Sequence, residues 1–202
     1  FLGNPVQKEI PNVIEVMKRL EPFLFYQMIA LQSNIDNPFD ESVVRAYWLG
    51  GNFLRPTTRE NLKQISFGEF PILNLEKIRS LIGTIPHHNF SVLQPLSTMK
   101  RTVKELPQSL LKEANKCLVK TGKIKAISGA DLKVKTLSLG QEGDKLDYKD
   151  KVIRIKKGFV DGVKKGDYVS IHFGKVREII SKEQASDLIA ASIGAFNFSF
   201  KG

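Results

Sequence analysis

The clearest strand signal in this chain lies near its C-terminal end, in Gly166-Asp167-Tyr168-Val169-Ser170-Ile171-His172. Apolar and polar residues alternate there after a glycine–aspartate turn, which is the pattern of a β-strand with two different faces. The alternation predicts that Val169, Ile171 and Phe173 face the core. His172 is then expected to face solvent or a groove, where its imidazole is a candidate binding group.

The same two-residue period recurs through the C-terminal part of the chain. We predict short strands at Lys123–Ile127, Leu132–Leu137, Val152–Ile155, Tyr168–Phe173 and Lys175–Ile180. Gly140–Asp150 is predicted to be a polar loop, and Lys182–Ile193 a terminal helix capped by Ser181. Five short strands closed by a helix predict a small five-stranded β-barrel of the OB or SH3-like kind.

The first part of the chain has the helical period instead. Helices are predicted over Pro11–Leu20, Phe23–Leu31, Glu41–Phe53 and Leu75–Ile82. The polar stretch at residues 94–116, with its two prolines, is predicted to join the two parts and to hold a short helix at Pro107–Ala114. The predicted fold class is therefore α+β, with a mostly helical N-terminal domain at residues 1–114 and a barrel with a C-terminal helix at 115–202. Because the chain begins with phenylalanine rather than methionine, an N-terminal truncation of the first domain stays open.

The amino-acid composition restricts the classes of protein to which this chain can belong. The 202 residues are 42% hydrophobic and 26% charged, which suits a folded chain rather than a disordered one. A single cysteine forms no internal disulfide and fits a reducing compartment. No apolar run approaches the roughly 18 residues of a membrane span, and no signal peptide is visible. We expect a cytoplasmic protein that makes no use of a membrane.

The net charge of +10 is concentrated in the second part of the chain. Residues 116–202 hold 18 Lys and Arg against 10 Asp and Glu, whereas residues 1–115 hold 13 against 11. Such an excess invites a polyanion or an acidic partner, and it equally suits lysines that keep the outer faces of strands solvated.

Two further segments carry candidate site residues. Cys117 precedes the first predicted strand, in Cys117-Leu118-Val119-Lys120-Thr121-Gly122-Lys123, and its thiol is either a soft metal ligand or a small buried apolar group. His87 and His88 follow a proline, so we expect them in an extended or loop segment. There they serve either as a binding or general-base pair or as structural hydrogen-bonding groups.

The C-terminal part resembles the small hydrogenase-assembly chaperones of the HypC/HupF type. The resemblance is carried by Cys-Leu-x-x-x-Gly-Lys at residues 117–123, by Gly-Asp-Tyr-Val-x-x-His-x-Gly at residues 166–174, and by Glu178, Glu183 and Ala185. In that family the cysteine and the histidine hold an iron that carries cyanide and carbon monoxide while a partner protein loads it. The resemblance implies the same pair here, Cys117 and His172. This chain departs from the family in having 116 residues before the cysteine and Thr121 in place of a proline.

The whole chain also resembles an uncharacterised prokaryotic family of unknown function. The segments that carry this likeness are Ala-Tyr-Trp-Leu-Gly at residues 46–50 and His-His-x-Phe-x-Val at residues 87–92. This second resemblance implies a helical region joined to a barrel and implies no activity.

We expect an accessory or binding protein rather than an enzyme, because no Gly-x-Ser-x-Gly segment and no phosphate-cradling glycine loop is present. Its barrel would dock a protein partner or a metal fragment through Cys117 and His172, with iron or zinc as the metal. One alternative is a basic nucleic-acid-binding barrel. The other is a small enzyme that uses His87 or His88 in a cleft between the two parts.

Overall fold

The computed structural model describes residues 10–65 and 79–201. They belong to two compact units, one of residues 1–47 and 53–86 and the other of residues 48–52 and 87–202. Helices come first, then five strands and a last helix, so the predicted α+β class is confirmed. The predicted division into domains at residues 1–114 and 115–202 stays a prediction. Within the described ranges, no helix has the length and apolar character needed to cross a bilayer.

The first part of the described chain is helical, and two of its helices begin at side-chain caps. The helices within residues 10–65 are α1 (Ile10–Met17), α2 (Glu21–Gln32), α3 (Glu41–Leu49) and α4 (Arg59–Gln64). Pro22 stands in the first turn of α2, whose side chains are mostly buried, as its continuous apolar run predicts. Asp40 accepts the Ser42 N–H at 2.8 Å ahead of α3, and Thr58 and Asn61 form a reciprocal capping box at α4.

Helix α3 ends four residues before the predicted end at Phe53. Gly50 and Gly51 follow it with φ of 85° and 109°, values that favour glycine and end a helix. A Cβ on Gly50 would lie 2.8 Å from the carbonyl oxygen of Asp187, so this position also permits a close backbone approach. The predicted helix at Leu75–Ile82 lies mostly outside the described residues, although Arg79 and Ser80 are helical.

Three further helices of the described residues belong to the second unit. These are α5 (His88–Thr102), α6 (Gln108–Cys117) and α7 (Lys182–Lys201). The short helix predicted at Pro107–Ala114 is present as α6, and α5 extends through Pro95 into the polar stretch that was predicted to join the two parts. Phe90, Leu93 and Leu96 recur at helical spacing and are buried, and this packing outweighs the one hydrogen bond that the proline removes. Helix α7 starts where predicted but extends eight residues beyond Ile193.

The five strands pair in the order β1-β2-β3-β5-β4, and the pairing of β1 with β4 closes the sheet on itself. They are β1 (Lys120–Ser128), β2 (Asp131–Glu142), β3 (Lys145–Lys156), β4 (Tyr168–His172) and β5 (Lys175–Ile180). Neighbours are antiparallel except β3 and β5, which meet in parallel where Lys156 faces Lys175. The inside of the closed sheet is a cluster of buried apolar side chains: Ile124, Leu132, Val134, Ile155, Val169, Ile171 and Val176.

The predicted loop at Gly140–Asp150 is instead the tip of the longest hairpin. Strands β2 and β3 pair without interruption from Asp131–Lys156 to Glu142–Lys145, and only two residues lie between the strands. Opposite charges support the pairing, since the ammonium of Lys135 lies 2.7 Å from a carboxylate oxygen of Asp150. The polar composition that suggested a loop therefore belongs to solvated strand faces.

Gly122 is a packing constraint on the closed sheet. A Cβ at this position would lie 2.3 Å from Val134 Cγ1 and 2.7 Å from Ile171 Cδ1, both in the core. We expect Gly122→Ala to lower the free energy of unfolding by about 1–3 kcal/mol, because the core must shift to admit the methyl group. The measurement is denaturant unfolding followed by circular dichroism.

Gly140→Ala on β2 is the matched control for Gly122→Ala. Its new Cβ would meet only the flexible stem of Lys149, at 3.2 Å, so we expect a much smaller change. Equal losses of stability in the two variants would contradict the packing argument.

Candidate functional site

Cys117 is the last residue of helix α6 rather than the start of a strand. The helix buries Leu111 and Ala114, and Leu118 follows them at the next helical position with no exposed surface. Strand β1 starts only at Lys120. Cys117 is half-buried and is not part of a disulfide. The thiol is therefore held at the end of a rigid element and remains partly open to solvent.

A backbone hydrogen bond joins the segment that carries Cys117 to the segment that carries His172. The Phe173 N–H donates to the Lys116 carbonyl oxygen at 2.9 Å, and the imidazole of His172 lies close to the Cys117 backbone. The two residues predicted to form a pair are thus neighbours in space. They are about 55 residues apart in sequence, and the end of α6 and the end of β4 bring them together.

The faces of β4 differ in part from the prediction. Val169 and Ile171 face the core as expected, but Phe173 leaves the strand with a φ of 51° and is 55% exposed. Ser170 on the other face is buried as well, and Tyr168 packs against a second apolar cluster that includes residues of α7. Packing thus covers the face that was expected to meet solvent, which leaves His172 half-buried rather than open.

Three rings surround the end of α6. The Trp48 and His88 rings stack with centroids 4.5 Å apart, and the His172 ring lies 5.4 Å from Trp48 and 5.1 Å from His88. The His88 Nε2 lies 3.1 Å from the Cys117 carbonyl oxygen. Because a carbonyl only accepts, Nε2 of His88 carries the proton. We call Trp48, His88, Cys117 and His172 the Cys117 cluster.

Burial keeps both imidazoles of the Cys117 cluster neutral. Burial lowers the pKa of His172 to about 4, with further lowering from His88 and Arg177 and partial opposition from the Cys117 backbone. Burial also lowers the pKa of His88, against the raising effect of its hydrogen bond to Cys117. The Nε2 atom of His172 is buried without a hydrogen-bond partner among the described residues. Near neutral pH, His172 therefore offers an uncharged nitrogen whose lone pair or proton is uncommitted.

His87 does not belong to the Cys117 cluster, although it is adjacent to His88 in the sequence. Its side chain has no exposed surface. It is the N-cap of α5, where its Nδ1 accepts the Asn89 N–H at 3.1 Å. Burial lowers its pKa to about 3, with a smaller lowering by His88 and a raising effect from the Trp48 backbone. A ring sealed in this way cannot meet a substrate, so we infer a structural role for His87 rather than general-base catalysis.

Asn89 is the residue that sequence reasoning missed. Its side chain is fully buried and hydrogen bonds both backbone groups of Val119, each at 2.8 Å. It also donates to the Ser192 hydroxyl at 2.8 Å. The available signal was a carboxamide between His88 and a buried phenylalanine, because a polar residue inside an apolar face usually marks a buried hydrogen-bond network.

The described residues contain no group of three or more His, Cys, Asp or Glu side chains able to hold a metal ion. A structural zinc site needs four protein ligands and a catalytic one usually three. Cys117 and His172 therefore do not form a zinc site of either kind among the described side chains.

Residues 7–197 match the model of one protein family. The chain belongs to DUF6390, a family of unknown function. The predicted membership of an uncharacterised family is thereby confirmed, and DUF6390 membership spans both compact units. No curated protein and no solved structure matches the chain.

His87 makes the stability of this DUF6390 protein depend on pH. Its pKa in the folded protein, about 3, lies below the 6.5 of the unfolded chain, so the unfolded state binds more protons between these values. Stability present above pH 6.5 is therefore lost as pH falls. We expect His87→Asn, which keeps an N-cap acceptor, to reduce the slope between pH 4 and 6 by up to ~1.4 kcal/mol per pH unit.

The measurement is the free energy of unfolding by urea at several pH values. The difference between the two proteins above pH 7.5 gives the packing loss and serves as an internal control. Parallel curves for His87→Asn and the unmodified protein throughout pH 4–6 would contradict a buried neutral His87.

Proposed function

We propose that this protein is an accessory protein that binds a metal fragment through Cys117 and His172 and exchanges it with a protein partner. The observation that carries the proposal is the hydrogen bond from Phe173 N–H to the Lys116 carbonyl at 2.9 Å. This bond brings the backbone at the end of α6, which carries Cys117, close to the end of β4, which carries His172. The Nε2 of His172 is buried without a hydrogen-bond partner among the described residues. A thiolate sulfur and a neutral imidazole nitrogen are ligand types that iron and zinc both accept.

The number of ligands favours a metal that arrives with ligands of its own. Two protein ligands leave a tetrahedral or octahedral ion mostly uncoordinated, and no third group in the described residues completes the set. A resident zinc ion therefore fits poorly. An iron fragment with small tightly bound ligands fits, because it needs few protein atoms; such a fragment would supply a preformed reactive centre for another protein. Two ligands also allow release, since few bonds must break.

The resemblance to the HypC/HupF chaperones supports the same role. We propose that residues 115–202 form the predicted OB or SH3-like barrel domain, and a five-stranded sheet in which β1 closes onto β4 is consistent with it. The departure concerns the cysteine. Cys117 lies inside the chain at the end of α6, so any binding uses its side chain and not a terminal amine.

The surroundings of His172 suit contact with a protein partner. Phe173 is 55% exposed and its ring lies 4.3 Å from the His172 ring. Phenylalanine is among the residue types enriched at protein–protein interfaces. A partner that covers Phe173 would shield the metal fragment from water.

Cobalt(II) is a suitable probe for the metal-binding arm, because a cobalt–thiolate bond gives a charge-transfer absorption in the near ultraviolet. We expect this band in the unmodified protein, no band in Cys117→Ser, and affinity reduced roughly tenfold or more in His172→Gln, since loss of even an outer-shell partner weakens metal binding 10–100-fold. The measurement is an anaerobic cobalt titration.

His87→Asn is the matched control, since it changes a buried histidine that caps α5 and is not a proposed ligand. It should bind cobalt as the unmodified protein does. The same cobalt spectrum in Cys117→Ser and the unmodified protein would overturn the proposal, as would equal losses of affinity in His87→Asn and His172→Gln.

A further inference from the structure

The charged side chains that line a cleft beside the closed sheet are mostly positive. It lies between helix α6 and strands β2 and β3, with a volume of about 640 Å³, within the range of roughly 300–1,000 Å³ typical of small-molecule sites. Six cationic side chains line it: Lys112, Lys116, Lys120, Lys149, Lys151 and Arg154. We call it the basic cleft. Neither Cys117 nor His172 lines it, so it is separate from the Cys117 cluster.

Few acidic groups balance these cations. Glu142 is the one carboxylate in the described lining, and it pairs with Lys149. Lys116 pairs with Glu113 at 2.6 Å. The other four cations, Lys112, Lys120, Lys151 and Arg154, make no ion pair with a described residue. Nearby acids on the sheet are engaged elsewhere: Asp150 pairs with Lys135 and Asp131 with Lys156.

Lys120 is the least favourable of these charges in the free protein. It is half-buried at the start of β1, where burial and then the charge of Lys151 lower its pKa to about 8. Holding an unpaired ammonium in this position opposes folding. A bound anion would offset the repulsion between Lys120 and Lys151, because it supplies a counter-charge to both ammonium groups.

The floor of the basic cleft is apolar. Leu111, Leu139 and Ile153 line it below the charged side chains, so a ligand with a flat or apolar part as well as an anionic part fits best. None of the described lining residues is aromatic, and single-stranded nucleic acids rely on aromatic stacking.

We propose that the basic cleft binds a small phosphorylated molecule of nucleotide size. Its phosphates lie against Lys120 and Lys151, with Lys112 and Arg154 as further donors, and its organic part covers the apolar floor. Charge-assisted hydrogen bonds from ammonium and guanidinium groups to phosphate oxygens provide the affinity.

The probes are inorganic pyrophosphate, adenosine diphosphate, adenosine and a single-stranded oligonucleotide, each measured with the full chain by titration calorimetry. We expect binding of pyrophosphate, tighter binding of adenosine diphosphate and none of adenosine. Binding of the oligonucleotide alone, or of neither phosphate compound at millimolar concentration, would overturn the proposal.

Three lysine variants test the position of the phosphates. Lys120→Gln and Lys151→Gln should each weaken binding of adenosine diphosphate about tenfold, as expected for loss of one charge-assisted contact. Lys125→Gln is the matched control, because Lys125 is an exposed lysine of the same strand that lies outside the cleft. Lys151 is exposed, so its substitution leaves the fold intact even if Lys120→Gln does not fold. Equal weakening in Lys125→Gln and Lys151→Gln would show only a general charge effect and would sink the proposal.

Titration with pH gives an independent readout. Affinity for adenosine diphosphate should fall as pH rises through about 8, the pKa of Lys120 in the free protein, because the neutral amine no longer attracts phosphate. The decrease should be absent in Lys120→Gln. The other charged groups that line the cleft are Lys112, Lys116, Lys149, Lys151, Arg154 and Glu142. A decrease of the same size in Lys120→Gln would place the titrating group elsewhere and contradict the assignment.

Discussion

The side-chain amide of Asn89 holds together three elements of the second unit. Its oxygen accepts the Val119 N–H and its nitrogen donates to the Val119 carbonyl, each at 2.8 Å, as a neighbouring strand would. The same nitrogen donates to Ser192, whose hydroxyl donates in turn to the Leu188 carbonyl at 2.7 Å. All of these groups are buried, so none can exchange its partner for water without a large loss of stability. The start of α5, the entry to β1 and the middle of α7 are therefore fixed to one another.

The geometry of the Cys117 cluster follows from this constraint. His88 precedes Asn89 by one residue, and Cys117 precedes Val119 by two, so the amide bridge brings the His88 ring to the Cys117 carbonyl. His172 enters from the other side, through the hydrogen bond between Phe173 and Lys116. Backbone groups, rather than the side chains that would carry chemistry, position the cluster. Among the described residues, the buried Nε2 of His172 has no hydrogen-bond partner, although the elements around it are fixed by these hydrogen bonds.

Local sequence patterns predicted helices and strands well where a pattern fitted only one type of element. The strand at Lys175–Ile180 was placed to the residue, and the start of α7 followed from the serine cap. Errors arose where a polar stretch fitted either a loop or a strand with a solvated face. The β2–β3 hairpin is the example, because its charged strand residues have the composition of a loop. The proximity of Cys117 and His172 was available only through the family resemblance, since no period or spacing relates residues so far apart. Asn89 could be recognised as a polar residue beside a buried phenylalanine, but its partners Val119 and Ser192, like the basic cleft, depend on which distant elements pack together.

The two proposed binding regions share a boundary but not their side chains. Lys116 contributes its ammonium to the basic cleft and its carbonyl oxygen to the hydrogen bond with Phe173. Gly174 lines the cleft one residue beyond Phe173. The regions therefore meet along the backbone at the end of α6, while the thiol and the imidazole lie outside the cleft lining.

Charge substitutions at Lys120 or Lys151 alter the electrostatic potential of the cleft and leave both proposed metal ligands in place. Substitution of Cys117 removes a ligand and no charge from the cleft lining. Binding in one region can thus be lost without the other, so each function can be tested by itself.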